Sequence, residues 1–281
     1  MKRIGIVYNP RAPSAVALAG ALAANLRFLR HDIWQCHADE QDKGNGLAHG
    51  TDLIITVGGD GTILRTVGMT LSREIPILGV NMGRLGFMTE LRGEDALALV
   101  PGYLDRETWV ERRTLLDVEV TQAAPAGDAV SRSWALNEVV VGRTSLGRII
   151  DIDVWIDEDH LVTYYADGVI VASGTGSTGY ALASGGPILD PESAHLVLVP
   201  ISPHLTPSTP VVVRPGAIVE MRVGPGNPAM ASLDGQREWA LDPGSRVRAW
   251  KSDRVARFLR AGGPRYFYAT LAQRLRVWGK S

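Results

Sequence analysis

The sequence has little of three features that would narrow its function at once. It contains one cysteine, Cys36, so no disulfide can form within the chain, and a reducing, cytoplasmic location is expected. Its 29 Lys and Arg are balanced by 30 Asp and Glu, so it lacks the positive excess of a nucleic-acid-binding protein. The longest apolar run, residues 12–24, is too short to cross a bilayer. Neither a nucleic-acid nor a membrane partner is expected.

Other absences exclude common enzyme classes. The chain has no G-x-x-x-x-G-K-[ST] motif, which excludes a P-loop enzyme. Its six histidines show no metal-ligand spacing such as H-E-x-x-H. Ser177 lies in a glycine-rich stretch, but the G-x-S-x-G motif of a serine hydrolase is missing there.

The pattern of predicted elements changes near residue 111. Before it, apolar runs such as RIGIVYN and IPILGVNMG alternate with helical stretches, which predicts a parallel sheet covered by helices. After it, short strands such as WALNEVVVG, IDIDVWID, SRVRAW and VARFLR are separated by Gly- and Pro-rich turns. We therefore predict a Rossmann-like α/β domain over 1–110 and a layered β-sandwich domain over 111–263.

The last segment, 264–281, is predicted to be helical again. Phe267, Leu271, Leu275 and Trp278 recur at spacings of four, four and three residues, which places them on one helix face. A helix with such a face must bury it, so we expect it to return to the α/β domain.

The stretch GGDGT, residues 58–62, offers the clearest chemistry. An apolar strand runs directly into it and a helix follows, so backbone N–H groups at the helix start would favour phosphate. A carboxylate among them, that of Asp60, would hold Mg²⁺ or accept a proton from an attacking hydroxyl in phosphoryl transfer. The alternative from spacing alone is a strand-to-helix turn capped by Asp60.

A second glycine pattern, G-x-G-x-x-G at 174–179, matches the dinucleotide-binding fingerprint of redox enzymes. That fingerprint needs a long helix after the glycines, whereas the helical candidate YALAS soon meets Gly185-Gly186-Pro187. The pattern also lies in the β-rich half. We therefore interpret it as accidental, and a redox function is not favoured.

GGDGT resembles the signature shared by NAD kinases, diacylglycerol and sphingosine kinases and, more distantly, phosphofructokinases. The rest of the chain resembles the NAD kinase family specifically, in order and approximate spacing over about residues 3–278. The matching stretches are NMGRLGFMTE (81–90), ALNEVVV (135–141), DGVIVASGTGSTGYALASGGPIL (167–189), PISPH (200–204) and DGQ (234–236). Two positions depart from the family's usual residues: Gly174 stands where Pro is usual, and Gly179 where Ala is usual.

The resemblance implies an ATP-dependent kinase that phosphorylates NAD at the 2′-hydroxyl of the adenosine ribose and produces NADP. NAD would be a substrate rather than a redox cofactor, and Mg²⁺ would accompany ATP. Family members form homo-oligomers, so a homodimer or homotetramer is expected. Two alternatives stay open: a lipid or other small-molecule kinase that shares GGDGT, and a non-catalytic NAD(P)-binding sensor.

The resemblance also implies roles for individual residues. Asp60 would act at the 2′-hydroxyl as general base or Mg²⁺ organiser. Glu138 would bind ribose hydroxyls, Asn137 the adenine, and Asp167 the nicotinamide end. The remaining implied residues shape the phosphate region (Gly58, Gly59, Gly61 and Thr62), line the adenine pocket (Thr175, Thr178, Gly179 and Tyr180) or wall the site (Phe87).

Overall fold

The computed structural model describes residues 1–83, 86–105, 108–123, 127–145, 148–263 and 267–272. The chain divides into two compact units. The first comprises Met1–Arg112 and Val255–Ser281, and the second comprises Arg113–Arg254.

The first unit alternates strands and helices. Its elements are β1 (Arg3–Tyr8), α1 (Pro13–Phe28), β2 (Asp32–His37), α2 (Gln41–Leu47), β3 (Leu53–Gly58), α3 (Asp60–Thr70), β4 (Ile77–Asn81), β5 (Leu91–Arg92) and α4 (Gly93–Asp105).

The strands of the first unit form a parallel sheet. The order β2-β1-β3-β4 follows from their pairing, and β5 also lies parallel to β4. All residues of β3 and β4 are buried, as expected for central strands covered on both faces. Helix α1 starts with Pro13, whose fixed φ suits a first helical turn, and buries Leu22 and Leu26 against the sheet.

The second unit consists mostly of strands. They are β6 (Trp109–Gln122, which begins in the first unit), β7 (Ala129–Ala135), β8 (Glu138–Arg143), β9 (Ile150–Ile156), β10 (Asp159–Ala166), β11 (Gly168–Ala172), β12 (Leu196–Ile201), β13 (Val211–Val213), β14 (Ile218–Val223), β15 (Ala229–Leu233), β16 (Arg237–Leu241) and β17 (Arg246–Arg260, which ends in the first unit). One short helix, α5 (Tyr180–Ala183), follows a 3₁₀ turn at Gly176–Thr178.

Antiparallel pairing organises these strands into layers. One sheet has the order β13-β12-β11-β8-β15-β16. Strands β10, β9, β14 and β17 pair in that order, and β6 pairs with β7. A single apolar core joins residues from both sets, including Val141 and Val171 on one side and Ile152 and Met221 on the other. The predicted combination of an α/β half and a layered β half is confirmed.

Two strand predictions need correction. WALNEVVVG was predicted as one strand, but the chain leaves β7 at Ala135 and enters β8 at Glu138. SRVRAW and VARFLR were predicted as two strands, whereas β17 runs through both, and its Phe258 pairs in parallel with Ile77 of β4.

The predicted C-terminal helix is described in part. Residues 267–272 are helical, and Phe267 is buried in the first unit with its ring centroid 6.3 Å from that of Phe87. Leu275 and Trp278 lie outside the described residues. Among the described helices, none has the length and apolar character needed to span a membrane.

Candidate active site

The GGDGT stretch forms a tight strand-to-helix turn in the first unit. Gly58 ends β3, Gly59 is the N-terminal cap residue of α3 in an extended conformation, and Asp60 opens the helix. A Cβ at Gly58 would overlap the Thr62 hydroxyl, so glycine allows Thr62 to pack back on the strand end. Cβ atoms at Gly59 and Gly61 would meet no atom of the described residues within 4 Å, so these residues leave open space beside the backbone on either side of Asp60.

Helix α3 places this turn in a field that favours negative charge. Its eleven residues align their peptide dipoles with the positive end at Asp60. N–H groups of the first helical turn have no partner within a helix, which makes such an end suited to phosphate oxygens. The alternative in which Asp60 caps the helix does not match the structure. The cap residue is Gly59, and among the described residues no side chain forms a hydrogen bond at the cap.

The loop that follows β4 lies against Asp60. A Cβ at Gly86 would overlap the Asp60 carboxylate, so only glycine leaves that carboxylate its place. The N–H of Gly86 donates to the Thr89 hydroxyl at 3.0 Å, and the Asn81 amide donates to the same oxygen at 3.3 Å. The N–H of Met82 reaches the carbonyl of Gly58 at 3.3 Å. The loop and the GGDGT turn therefore form one hydrogen-bonded structure.

In the second unit, Asn137 and Glu138 lie at the break between β7 and β8. The break is held by Asp234, whose carboxylate accepts the backbone N–H groups of Leu136 at 2.7 Å, Asn137 at 2.8 Å and Glu138 at 3.1 Å. The N–H of Asp234 donates in return to the carbonyl of Glu138 at 3.1 Å. Asp234 itself has a φ of 52°, a left-handed conformation that Asp and Asn adopt more readily than other side chains.

Sequence reasoning assigned no role to Asp234. The DGQ stretch contributes to the family resemblance, and its Asp-Gly pair is a turn signal. Its contact with residues almost a hundred positions earlier in the chain leaves no local trace in the sequence.

Burial perturbs both carboxyl groups at this break. Burial, and secondarily the negative charge of Asp234, raises the pKa of Glu138 from 4.5 to about 8. Burial also raises the pKa of Asp234, against the opposing effect of its three backbone N–H donors. Those donors stabilise the charged form of Asp234, so its pKa is raised less than burial alone would raise it. Oxygen Oε2 of Glu138 is buried, and it has no hydrogen-bond partner among the residues that the structure describes.

The glycine-rich turn at 173–180 packs directly on the same break. A Cβ at Gly176 would overlap the carbonyl of Asn137, so the two backbones touch only because residue 176 is glycine. Ser173 donates its N–H to the carbonyl of Asn137 at 2.8 Å and its hydroxyl to the carbonyl of Leu136 at 2.5 Å. A Cβ at Gly179 would lie 3.5 Å from Oε2 of Glu138, an ordinary contact distance.

Two side chains of this turn are available for a ligand in different ways. The Thr175 hydroxyl is buried, and none of the described residues forms a hydrogen bond with it. Tyr180 is 46% exposed, so its ring presents a free face at the start of α5. The Thr178 hydroxyl donates to the carbonyl of Thr175 at 3.0 Å and serves the turn itself. Helix α5 has four residues, which fits the interpretation that the G-x-G-x-x-G pattern is no redox fingerprint.

A cavity of about 340 Å³ opens beside this turn, within the second unit. Asp167 lies in its wall, paired with Arg143 at 3.1 Å between Oδ1 and Nε. The full lining is Val140, Gly142, Arg143, Asp167, Tyr180, Ile201, Met230 and Ser232. The volume suits part of a nucleotide, and a lining of apolar side chains with a few polar groups is typical of a ligand pocket.

The structure thus groups the predicted residues into two sets. Asp60, the glycines around it, Thr62 and the loop carrying Phe87 lie together in the first unit. In the second unit, Glu138 lies beside Gly179, and Asp167 and Tyr180 line one cavity. Within the described part of the chain, no three His, Cys, Asp or Glu side chains cluster as metal ligands.

Comparison with known proteins identifies this arrangement. Residues 38–108 match the family model of the ATP-NAD kinase N-terminal domain, and residues 136–261 match that of the ATP-NAD kinase C-terminal domain. An NAD kinase of Dehalococcoides mccartyi is 41% identical over 98% of this chain and 96% of its own length. An NAD kinase of Chloroflexus aurantiacus is 37% identical over 98% and 99%.

Solved structures agree. The crystal structure of an NAD kinase from Archaeoglobus fulgidus in complex with ATP has a TM-score of 0.77 and 28% identity, over 98% of both chains. A yeast NADH kinase complexed with NADH has a TM-score of 0.82 at 21% identity, over 93% of this chain and 84% of that one, and shows the same fold.

The fold and these matches therefore define a nucleotide-dependent phosphotransferase. The chain belongs to the NAD kinase family, and it is an enzyme that phosphorylates NAD with ATP. The lipid kinase and non-catalytic sensor alternatives are not favoured.

Proposed function

We propose that Asp60 carries the chemistry of this reaction and that its acceptor is the 2′-hydroxyl of the adenosine ribose of NAD. The observation that carries the proposal is the place of Asp60, in the first turn of α3 after a buried parallel strand, with open space beside the glycines at 59 and 61. Phosphate oxygens of ATP would use the N–H groups of that helix start, and the carboxylate beside them would face the attacking hydroxyl.

The proposed step transfers the γ-phosphoryl group of ATP to the 2′-oxygen of NAD. The 2′-oxygen forms a bond to the γ-phosphorus of ATP, and the bond from that phosphorus to the bridging oxygen breaks, its electron pair leaving with ADP. The hydroxyl proton goes to the Asp60 carboxylate, and the products are NADP and ADP. Positioning and electrostatic stabilisation are expected to supply most of the acceleration, as in phosphoryl transfer generally.

We propose that Mg²⁺ accompanies ATP. The donor set fits this metal, because Mg²⁺ is usually held by one or two carboxylates together with substrate phosphates rather than by a cage of protein ligands. Asp60 at the helix start would be one such carboxylate, and the bound metal would neutralise phosphate charge.

The second unit would hold the adenosine half of NAD. Glu138 would bind ribose hydroxyls, since a carboxylate accepts hydrogen bonds from a diol, and the Asn137 amide would pair with the adenine edge. Thr175, whose buried hydroxyl lacks a partner in the described part of the chain, would donate to the base, and the exposed ring of Tyr180 would stack against it. Asp167, in the cavity wall, would approach the nicotinamide end.

Two wider properties belong to the same proposal. A homodimer or homotetramer is expected from the family resemblance, and size-exclusion chromatography with light scattering measures it. A cytoplasmic location is supported by the single cysteine, which is buried, and whose thiol pKa burial raises to about 11.

The test is the formation of NADP by the wild type and by Asp60→Asn, with ATP, Mg²⁺ and NAD, read out by an NADP-specific dehydrogenase. Loss of a general base costs about 10²–10⁴-fold in rate, so kcat should fall by that order while NAD binding is retained. Asp95→Asn is the matched control, because Asp95 also lies in the first turn of a helix, α4, and is exposed. Equal kcat values for Asp60→Asn and Asp95→Asn would refute the role of Asp60.

A further inference from the structure

A buried arginine stands out in the first unit. Arg260, the last residue of β17, is 1% exposed and faces two buried carboxylates. Its Nε and a terminal nitrogen contact the two oxygens of Glu111 at 3.0 and 3.3 Å, and its other terminal nitrogen contacts Glu90 at 3.2 Å. The fork of donors on a guanidinium matches this two-sided arrangement, which a lysine ammonium cannot reproduce.

The same guanidinium holds backbone as well as side chains. It donates to the carbonyl of Met88 at 3.1 Å and to that of Phe87 at 3.5 Å. Its partner Glu90 is in turn fixed by the Tyr103 hydroxyl and by the N–H of Ala261, each at 2.9 Å. Arg260 therefore links the end of β17 to the loop after β4 through three directed contacts, and to β6 through two more with Glu111.

This loop is the one that lies against Asp60. From Met88 the chain runs back through Phe87 to Gly86, whose missing Cβ leaves room for the Asp60 carboxylate. The N–H of Gly86 donates to the Thr89 hydroxyl, so a hydrogen bond closes the turn at residues 86–89. A displacement of the carbonyls at 87 and 88 would consequently reach the carboxylate of Asp60.

Net stability gives a weak reason for such a cluster. Two charges removed from water recover little more than their desolvation cost, and buried ion pairs are often replaced by apolar residues without loss of stability. What an arginine with two carboxylates does supply is a fixed geometry for the backbone that it contacts.

We propose that Arg260 is a positioning residue for catalysis: through the carbonyls of Phe87 and Met88 it fixes the segment 86–90 against Asp60. The inference rests on the proposed function only for its effect on rate. The immobilisation of the segment is a separate, structural part of it.

The test uses Arg260→Lys, which keeps the charge and loses the fork, and Arg257→Met as control. Arg257 lies on the same strand and pairs with the exposed Glu74 at 2.5 Å. Amide hydrogen exchange of a peptide covering 86–92 reports on the segment. It should quicken at least about tenfold in Arg260→Lys and stay unchanged in Arg257→Met.

Kinetics report the consequence for Asp60. Because small misplacements of a reacting group are costly, kcat per folded enzyme should fall about tenfold to a hundredfold in Arg260→Lys. KM for NAD and for ATP should change by less than about twofold, because neither binding surface includes Arg260. Glu111→Gln keeps the arginine and the volume of the site. Glu111→Gln should also quicken exchange at 86–92 and lower kcat, but by smaller factors than Arg260→Lys does. It replaces Arg260→Lys in the test if that variant folds poorly.

The outcomes separate the two proposals. Unchanged exchange at 86–92 in both variants would overturn the positioning role. So would a loss of activity that only follows the folded fraction. If Asp60→Asn kept wild-type kcat, the proposed role of Asp60 would fail, while the exchange data would still decide whether Arg260 holds the segment.

Discussion

Asp234→Asn is the perturbation whose effect the structure defines best. Oδ1 of Asp234 accepts the N–H groups of Asn137 and Glu138, and Oδ2 accepts that of Leu136. Asparagine has one side-chain oxygen in place of two. If that oxygen accepts the N–H groups of Asn137 and Glu138, the NH₂ group faces the N–H of Leu136, and two donors then oppose each other. The backbone is not expected to change, because asparagine also tolerates the φ of 52°.

The magnitude follows from the lost bond. A buried donor left without its acceptor costs about 1–3 kcal/mol, so the free energy of unfolding should fall by that amount. The Asn137–Glu138 segment loses one of its anchors, so NAD should bind more weakly as well.

The variant should also change how stability depends on pH. The pKa of Glu138 is raised from 4.5 to about 8, so between these values the folded state binds more protons than the unfolded state. Wild-type stability contributed by this group therefore declines as the pH rises from about 4.5 to about 8 and is level above. Removing the charge of Asp234 removes part of the cause of that raised pKa, so the decline should be smaller in Asp234→Asn.

Urea unfolding at several pH values across this window measures both effects. Asp242→Asn is the control, because Asp242 is an exposed aspartate that follows β16 in the same unit. The reasoning is refuted if Asp234→Asn destabilises the protein no more than Asp242→Asn does, or if its pH slope equals that of the wild type.

Two further predictions concern the same break. NAD affinity of the wild type should increase as the pH rises through about 8, because the ionised Glu138 accepts hydrogen bonds from ribose hydroxyls. Calorimetric titration with NAD at several pH values should show that Glu138→Gln has lost this pH dependence. An identical pH profile in the variant would contradict the role assigned to Glu138. Gly176→Ala should lower the free energy of unfolding by about 1–3 kcal/mol, because the added Cβ overlaps the carbonyl of Asn137. Gly179→Ala should melt near the wild-type temperature, because its Cβ would lie 3.3 Å from the nearest atom, the carbonyl oxygen of Gly176. Equal melting temperatures for the two alanine variants would count against the described packing.

The sequence allowed the elements around Asp60 to be predicted because their signals are local. A buried apolar run, three glycines and a helical pattern follow each other within twenty residues, and the structure has β3, the turn and α3 in that order. The overall combination of an α/β unit and a layered β unit followed from the same local patterns.

What could not be predicted depends on contacts between distant residues. The apolar pattern of WALNEVVVG runs on without interruption, yet the strand breaks because the carboxylate of Asp234 captures three of its N–H groups. Likewise, nothing near Arg260 in the sequence indicates that it is buried, since its partners Glu90 and Glu111 lie about 150 residues or more earlier. Pairing of this kind is set by the folded chain and not by spacing.

The passage of β17 from one unit into the other has a consequence for synthesis of the chain. Val255–Arg260 belong to the first unit, although they are translated after the whole of Arg113–Arg254. Domains generally fold as units as they leave the ribosome, N-terminal part first. Here residues 1–112 emerge before the strand segment that pairs with β4 has been made. At that stage Glu90 and Glu111 also lack their partner Arg260. The unit whose synthesis begins first is therefore completed last. If translation stops before residue 260, the first unit lacks part of β17 and the arginine that pairs with its two glutamates.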